Sequence, residues 1–507
     1  MDITNFSFQN IVDKVNADLG SEFCDTFRYK RKELSNSGRA SVANILFKIV
    51  DGNRDWVINE GGGVEIQYHL FYRDNTIGYG LGFNAQYVPF ANLKNPVEYI
   101  KPFVDAFLFL KGTKDSSVEK LESEGFKFTE GEGWIGLQNI KNDEYYLFGK
   151  EIQIIDGILP ENEYSDMIDY IKNDLFNLYI KIWEQKNRME KYREHIANFE
   201  NLLLSNQNLI LTGAPGTGKT YLAKQIAAQM ILDKEYNASS ASDEDKKIMK
   251  EQYDFVQFHP SYDYTDFVEG LRPIDDGKGN VSFRREDGIF MDFCRRALKA
   301  YNNATDEEKA PKYVFVIDEI NRGELSKIFG ELFFCIDPGY RGEDGKVKTQ
   351  YNNLWKEDKF GDSDFFFIPK NVYIIGTMND IDRSVESMDF AMRRRFAFKE
   401  VKAEDNMEML KANEALAPFY DKIEERMNNL NLCILTIQGF TTAYQIGAAY
   451  FLKMTNYLVD GKVEDQSWKN LWENHLYGLL FEYLRGLPNA EDDLKKLHRA
   501  YNLEDKY

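Results

Sequence analysis

Eight consecutive residues, Gly213, Ala214, Pro215, Gly216, Thr217, Gly218, Lys219 and Thr220, read GAPGTGKT. Glycines at these spacings let backbone N–H groups turn inward around phosphate oxygens, and a helix that follows adds its positive N-terminus. Lys219 is placed to reach β- and γ-phosphates, and the Thr220 hydroxyl suits a bound Mg²⁺. The apolar run NLILT before the glycines and the helical YLAKQIAAQMI after them provide the strand–loop–helix setting this chemistry needs.

Two further apolar runs end in polar groups. YVFVIDE finishes on Asp318, suited to a metal's ligand shell, and Glu319, suited to orienting or deprotonating an attacking water. VYIIGTMN finishes on Asn379. If its strand lies between the other two, that amide faces the attacking water or the γ-phosphate. MDFAMRRRF then reads as a helix ending in arginines. Arg394 and Arg395 either complement the negative end of that helix or reach a nucleotide held by a neighbouring subunit.

Strands alternating with helices must position these groups, which implies a parallel sheet covered on both faces. The expected class is α/β: a P-loop parallel sheet over residues 201–402 with a helical lid over 403–507. An α+β N-terminal domain, residues 1–160, precedes it, and 161–200 reads as a helical linker packing on the following domain. Within the first domain VEIQYHLFYRD, TIGYGLGFN, WIGLQNI and EYYLFGKEIQII read as strands, and PVEYIKPFVDAFLFLKG as a helix. YNASSASDEDKK, 236–247, reads as a surface loop, and RPIDDGKGNVSFRREDGIF, 272–290, as a hairpin.

With 507 residues, 43% hydrophobic and 14% aromatic, the chain can bury more than one core. A net charge of -20 argues against one continuous nucleic-acid surface, leaving FRYKRKELSNSGR, 27–39, as a local basic patch. Cys24, Cys294, Cys335 and Cys433 lack zinc-site spacing and are expected to be buried and reduced. MDITNFSFQN lacks the basic and apolar regions of a signal peptide, and no apolar run nears about 20 residues. A cytoplasmic protein without membrane contact is expected.

GAPGTGKT, FHPSYDYTDFVEGLRP, IDEINRGELSKIFGEL, NVYIIGTMNDIDRSVESMDFAMRRRF and QIGAAYF occur in this order. Together they resemble the McrB-like AAA+ family, over roughly residues 200–490. The resemblance implies a GTP-hydrolysing ring motor, most simply a hexamer, that binds GTP (ATP as the other candidate) with Mg²⁺ between subunits. It also implies DNA as track and a separate McrC-like nuclease, since no paired-carboxylate nuclease signature stands out in this chain. By motif, Asn379 matches the family's sensor asparagine, Asp382 and Arg383 its nucleotide-specificity and subunit-contact loop, and Arg394 and Arg395 its trans-acting arginines. Asn321 and Arg322 fall where the family makes subunit or partner contacts. The chain reads NDID where the family signature reads NTAD, and IGAAYF where IGHSYF is common.

For residues 1–160 the likeness is one of texture, in HLFYRDNTIGYGLGFN. It implies a reader of modified cytosine, whose pocket could use Trp56, Tyr68, Tyr72 and Tyr79 with a basic rim at 28–32. The same residues also suit an ordinary aromatic core. Two competing functions remain open on sequence grounds: an ATP-driven remodeller of the MoxR or dynein-like kind, and a nucleotide-gated ligand-binding scaffold.

Overall fold

A computed structural model describes residues 8–34, 47–49, 56–59, 66–73, 75–85, 95–128, 133–236, 238, 241–275, 281–355, 359–379, 381, 388, 390–411, 413 and 415–507. The chain divides into two compact units, Met1–Glu194 and His195–Tyr507.

The first unit carries an antiparallel sheet in the order β1 (Phe47–Ile49), β2 (Trp56–Asn59), β3 (Gln67–Arg73), β4 (Thr76–Asn84), β6 (Tyr145–Gln153), β5 (Lys127–Phe128). Alternation sends Tyr68, Leu70, Ile77, Tyr79, Leu81, Phe83, Tyr146 and Phe148 into one core. On the other face Gly78 leaves room for a ring from β3, since a Cβ there would lie 2.0 Å from Phe71.

Three sequence expectations change here. WIGLQNI is not a strand: Gly133–Gln138 is a short helix, because an apolar run this brief does not fix its own period. Tyr68 and Tyr79 do not line an open pocket. Tyr68 is fully buried against Phe27 and Tyr179, and Tyr79 against Phe126. Tyr72 is half-buried and donates to Asn75, while Arg28 of the basic cluster pairs with Asp25 at 3.0 Å. The side chain of Trp56 lies outside the described residues. The expected linker is also re-read. Its helices, Glu161–Lys172 and the first half of Asp174–Asn206, bury Met167, Ile171, Leu175, Leu178, Tyr179 and Ile182 in the first unit's core. Apolar residues three and four apart there face the core under the N-terminal sheet.

In the second unit five strands pair in parallel, in the order β13 (Ala397–Glu400), β7 (Asn208–Thr212), β12 (Val372–Thr377), β11 (Tyr313–Asp318), β8 (Tyr253–Gln257). β11 is buried along its whole length, as a central parallel strand must be. The polar stretch read as a loop instead starts a helix, Asp243–Gln252, whose N-cap Ser242 accepts from the Asp245 N–H. Short polar side chains that cap backbone donors favour helix starts as readily as loops. Helices at Tyr420–Ile434, Asp465–Leu471, Tyr477–Leu484 and Ala490–Tyr501 gather a separate apolar core in the lid.

The hairpin predicted for 272–290 is present as β9 (Glu269–Asp275) and β10 (Val281–Asp287). A buried ion pair anchors its base: Arg285 donates to Glu269 at 2.6 Å, with the two side chains 6% and 0% exposed. Glu269 also accepts from Trp355 Nε1 at 2.8 Å and from the Tyr351 N–H at 2.8 Å. Glu269→Ala strands a buried guanidinium and two N–H donors, so a loss of about 3 kcal/mol is expected, the lower end because Asp287 still faces Arg285. Urea unfolding checks this, and a loss under about 1 kcal/mol would mean the pair is dispensable.

Candidate nucleotide site

Because β7, β11 and β12 run parallel, their carboxyl ends lie along one sheet edge, where ligands of open α/β sheets bind. The glycine loop leaves β7 there and opens the helix Lys219–Leu232. Gly216 and Gly218 take φ of +75° and +81°, conformations a side chain would strain. Lys219 is 7% exposed and its Nζ donates to the carbonyls of Gly213 (3.0 Å) and Ala214 (2.8 Å). Its ammonium therefore lies along the inner rim of the loop.

The acids of β11 lie beside this loop. Thr220 Oγ1 donates to Asp318 Oδ1 at 2.7 Å, bringing a hydroxyl and a carboxylate side by side. Such hard oxygen donors fit Mg²⁺, which keeps several waters and takes one or two protein oxygens. Asn379 Nδ2 donates to Glu319 Oε1 at 2.8 Å, and Arg322 Nε to Glu319 Oε2 at 3.1 Å. Glu319 sits in the left-handed region (φ 51°, ψ 45°), a strain of about 1–3 kcal/mol that surrounding contacts must sustain. One such contact comes from Thr377, not expected from sequence. Its hydroxyl donates to Asp318 Oδ1 (2.7 Å) and accepts from the Glu319 N–H (3.2 Å). The signal was present: a threonine closing an otherwise apolar strand, two residues before Asn379.

The lid closes over the loop through two backbone N–H groups and one side-chain amide. Gly447 N–H donates to Pro215 O at 3.1 Å, Ala449 N–H to Gly216 O at 3.0 Å, and Asn406 Nδ2 to Thr217 O at 2.6 Å. IGAAYF thus engages the phosphate loop with no side-chain imidazole. Gly447→Ala would place a methyl 2.2 Å from the Gly216 carbonyl. A clash of this kind costs about 1–3 kcal/mol, so nucleotide affinity should fall about 5- to 150-fold by calorimetric titration. Unchanged affinity would mean that the lid contact is absent when nucleotide binds.

The arginines lie at the other end of the sheet. β13 runs parallel to β7 with Ala397 opposite Leu209, and the Arg395 carbonyl meets Asn208 at the start of β7. The five residues of β7, about 16 Å at roughly 3.3 Å each, separate them from their own phosphate loop. That exceeds the length of an arginine side chain. Arg394 is exposed. Arg395 is engaged in its own chain: it donates to Ala391 O, lies 3.8 Å from Asp337 and covers the Phe333 ring at 5.0 Å. Asp382 and Arg383 lie outside the described residues. Asn321 is buried. All four cysteines are buried and free. Among the described residues no helix is long and apolar enough to cross a membrane.

A glycine-rich phosphate loop, an Asp-Glu strand end and a polar strand end between them, under a helical lid, define a P-loop nucleotide-binding domain of the AAA class. Residues 208–396 match the family described as AAA domain (dynein-related subfamily). The chain is similar to the Type IV methyl-directed restriction enzyme EcoKMcrB subunit of Escherichia coli (strain K12): the two are 33% identical over 329 residues, covering 61% of this chain and 63% of that one. It is also 24% identical over 235 residues to the Type II restriction enzyme BsuMI component YdiS of Bacillus subtilis (strain 168), covering 43% of this chain and again 63% of the relative. The chain thus spans less than two thirds of either relative's length. The solved structure of NtrX from Brucella abortus aligns at 12% identity over 68% of this chain and 80% of that one, with a TM-score of 0.20, too loose to carry an argument.

Proposed function

We propose that this chain is the GTP-hydrolysing motor of a McrBC-like DNA restriction system, acting as a ring, most simply a hexamer, with a McrC-like nuclease as partner. The observation that carries the reading is the single hydrogen-bonded network Thr220–Asp318–Thr377–Glu319–Asn379 beside the phosphate loop. Its restriction context is supported by the relatives, both components of restriction enzymes.

In this reading Lys219 neutralises charge on the β- and γ-phosphates. Thr220 and Asp318 hold Mg²⁺, which when bound supplies charge neutralisation across the same phosphates. Glu319 accepts a proton from water while Asn379 keeps its carboxylate in register. Arg394 extends from the far end of the sheet towards a neighbour's γ-phosphate. Asp382 and Arg383 form the base-discriminating loop. The N-terminal unit, residues 1–160 with the helices packed on it, engages DNA, with modified cytosine as the target class. Burial of Tyr68 and Tyr79 removes them from any base pocket, so that task falls to other residues of the unit.

GTP is expected to displace a fluorescent nucleotide at lower concentration than ATP. Tighter ATP binding would favour the dynein-like remodelling alternative, with which the AAA subfamily match is also compatible. No turnover with either nucleotide, with or without DNA, would favour the scaffold reading.

A further inference from the structure

β7 is apolar except at its ends, and its first residue, Asn208, is wholly buried. An aliphatic side chain would suit such a strand position without any polar group to satisfy. Asn208 instead uses both faces of its amide. Nδ2 donates to Ile336 O at 2.8 Å and to Arg395 O at 2.9 Å, and Oδ1 accepts from Arg341 Nη2 at 2.5 Å. Three segments far apart in sequence, at 208, 336–341 and 395, meet on one side chain. Arg341 is itself 5% exposed, so the junction is sealed from water. Both polar atoms of the Asn208 amide are paired, while Arg341 keeps Nε and Nη1 without a hydrogen-bond partner, so the junction is held through Asn208, and each orphaned buried polar group costs about 1–3 kcal/mol.

None of these bonds touches the phosphate loop, which leaves the opposite end of β7. What they hold is the backbone immediately after Arg394. Asn208 fixes the Arg395 carbonyl, and the Arg395 side chain braces the same turn against Ala391, Asp337 and Phe333. Two arginines of this turn are exposed: Arg393, whose guanidinium lies over the Phe398 ring of its own chain at 4.8 Å, and Arg394 beside it. We infer that Asn208 is a positioning residue for the neighbouring subunit's reaction, holding the turn that presents Arg394, with Arg395 as a strut in the same turn. This rests on the reading that Arg394 acts in trans.

Full-length Asn208→Leu, which keeps the branched shape and removes the polar contacts, should lower turnover by about 10- to 100-fold, the scale of a roughly 1 Å misplacement, with KM changed by less than about threefold. Mixed chains give the decisive readout. Paired with Lys219→Ala, which contributes an intact arginine turn, the Asn208→Leu chain supplies a sound phosphate loop and activity should return. Paired with Arg394→Ala, which needs an arginine from its neighbour, activity should stay low. If Asn208→Leu rescues Arg394→Ala as well as wild type does, or if its nucleotide affinity falls in step with its turnover, the inference is overturned. If Asn208→Leu does not fold by circular dichroism, Asn208→Ser is run through the same mixtures with the same two outcomes. A control mixture of Arg394→Ala with Lys219→Ala separates the two levels: no activity there overturns the trans reading itself, whereas rescue there with failure above overturns only the role of Asn208.

Discussion

Arg394→Ala is expected to cut nucleotide turnover by about 10³- to 10⁵-fold, roughly 4–7 kcal/mol of transition-state stabilisation, while nucleotide binding stays near wild type. The reason is topological. Parallel pairing of β13 with β7 places the arginine turn at the amino end of the sheet and the phosphate loop at the carboxyl end. Arg394 is therefore too far from its own site to touch a bound nucleotide, and its exposed side chain is free to meet another chain's. Mixing Arg394→Ala with Lys219→Ala should restore activity, because one kind of mixed interface joins an intact loop to an intact arginine. Arg395→Ala is expected to behave differently. With its guanidinium against Asp337 and Phe333, its loss should lower the melting temperature as well as turnover. A pure turnover defect at Arg395 with unchanged stability would reverse the division of labour between the two arginines.

The second large effect separates binding from chemistry. Lys219→Ala should abolish measurable nucleotide binding, since it removes the loop's one cation. Glu319→Gln should keep binding and assembly yet lose about 10²- to 10⁴-fold in turnover, the usual contribution of a positioned base. The amide can still pair with Asn379 but cannot take a proton. Its effect should remain after Thr377→Val, which removes the hydroxyl bridging Asp318 and the Glu319 N–H and should produce a milder loss. Equal loss of binding in Lys219→Ala and Glu319→Gln, measured by titration, would contradict both assignments.

Local chemistry was readable from the residues because its geometry is local. The spacing of Gly213, Gly216 and Gly218 sets a loop conformation whatever surrounds it, and a strand ending in Asp318–Glu319 delivers both acids to the same edge as any parallel neighbour. Hence the parallel sheet, the hairpin and the helical lid follow from the sequence pattern, whereas the order with β12 between β7 and β11 is decided by the tertiary structure. WIGLQNI did not, because seven residues hold too little of either period to choose between helix and strand. Nor did the fate of Tyr68 and Tyr79. Alternation divides a strand into two faces but does not say which face receives helices, and here the helices at 161–183 cover the tyrosines. Tertiary structure alone decided which partners arrive from afar. Gly447 and Asn406 clasp the phosphate loop from the lid, and Asn208 gathers carbonyls 128 and 187 residues away. Adjacent arginines in RRRF are indistinguishable by type, yet one turn of backbone points Arg394 into solvent and Arg395 into its own domain. Side-chain direction at a chain reversal depends on what packs beneath it, and that is set by contacts no local spacing encodes.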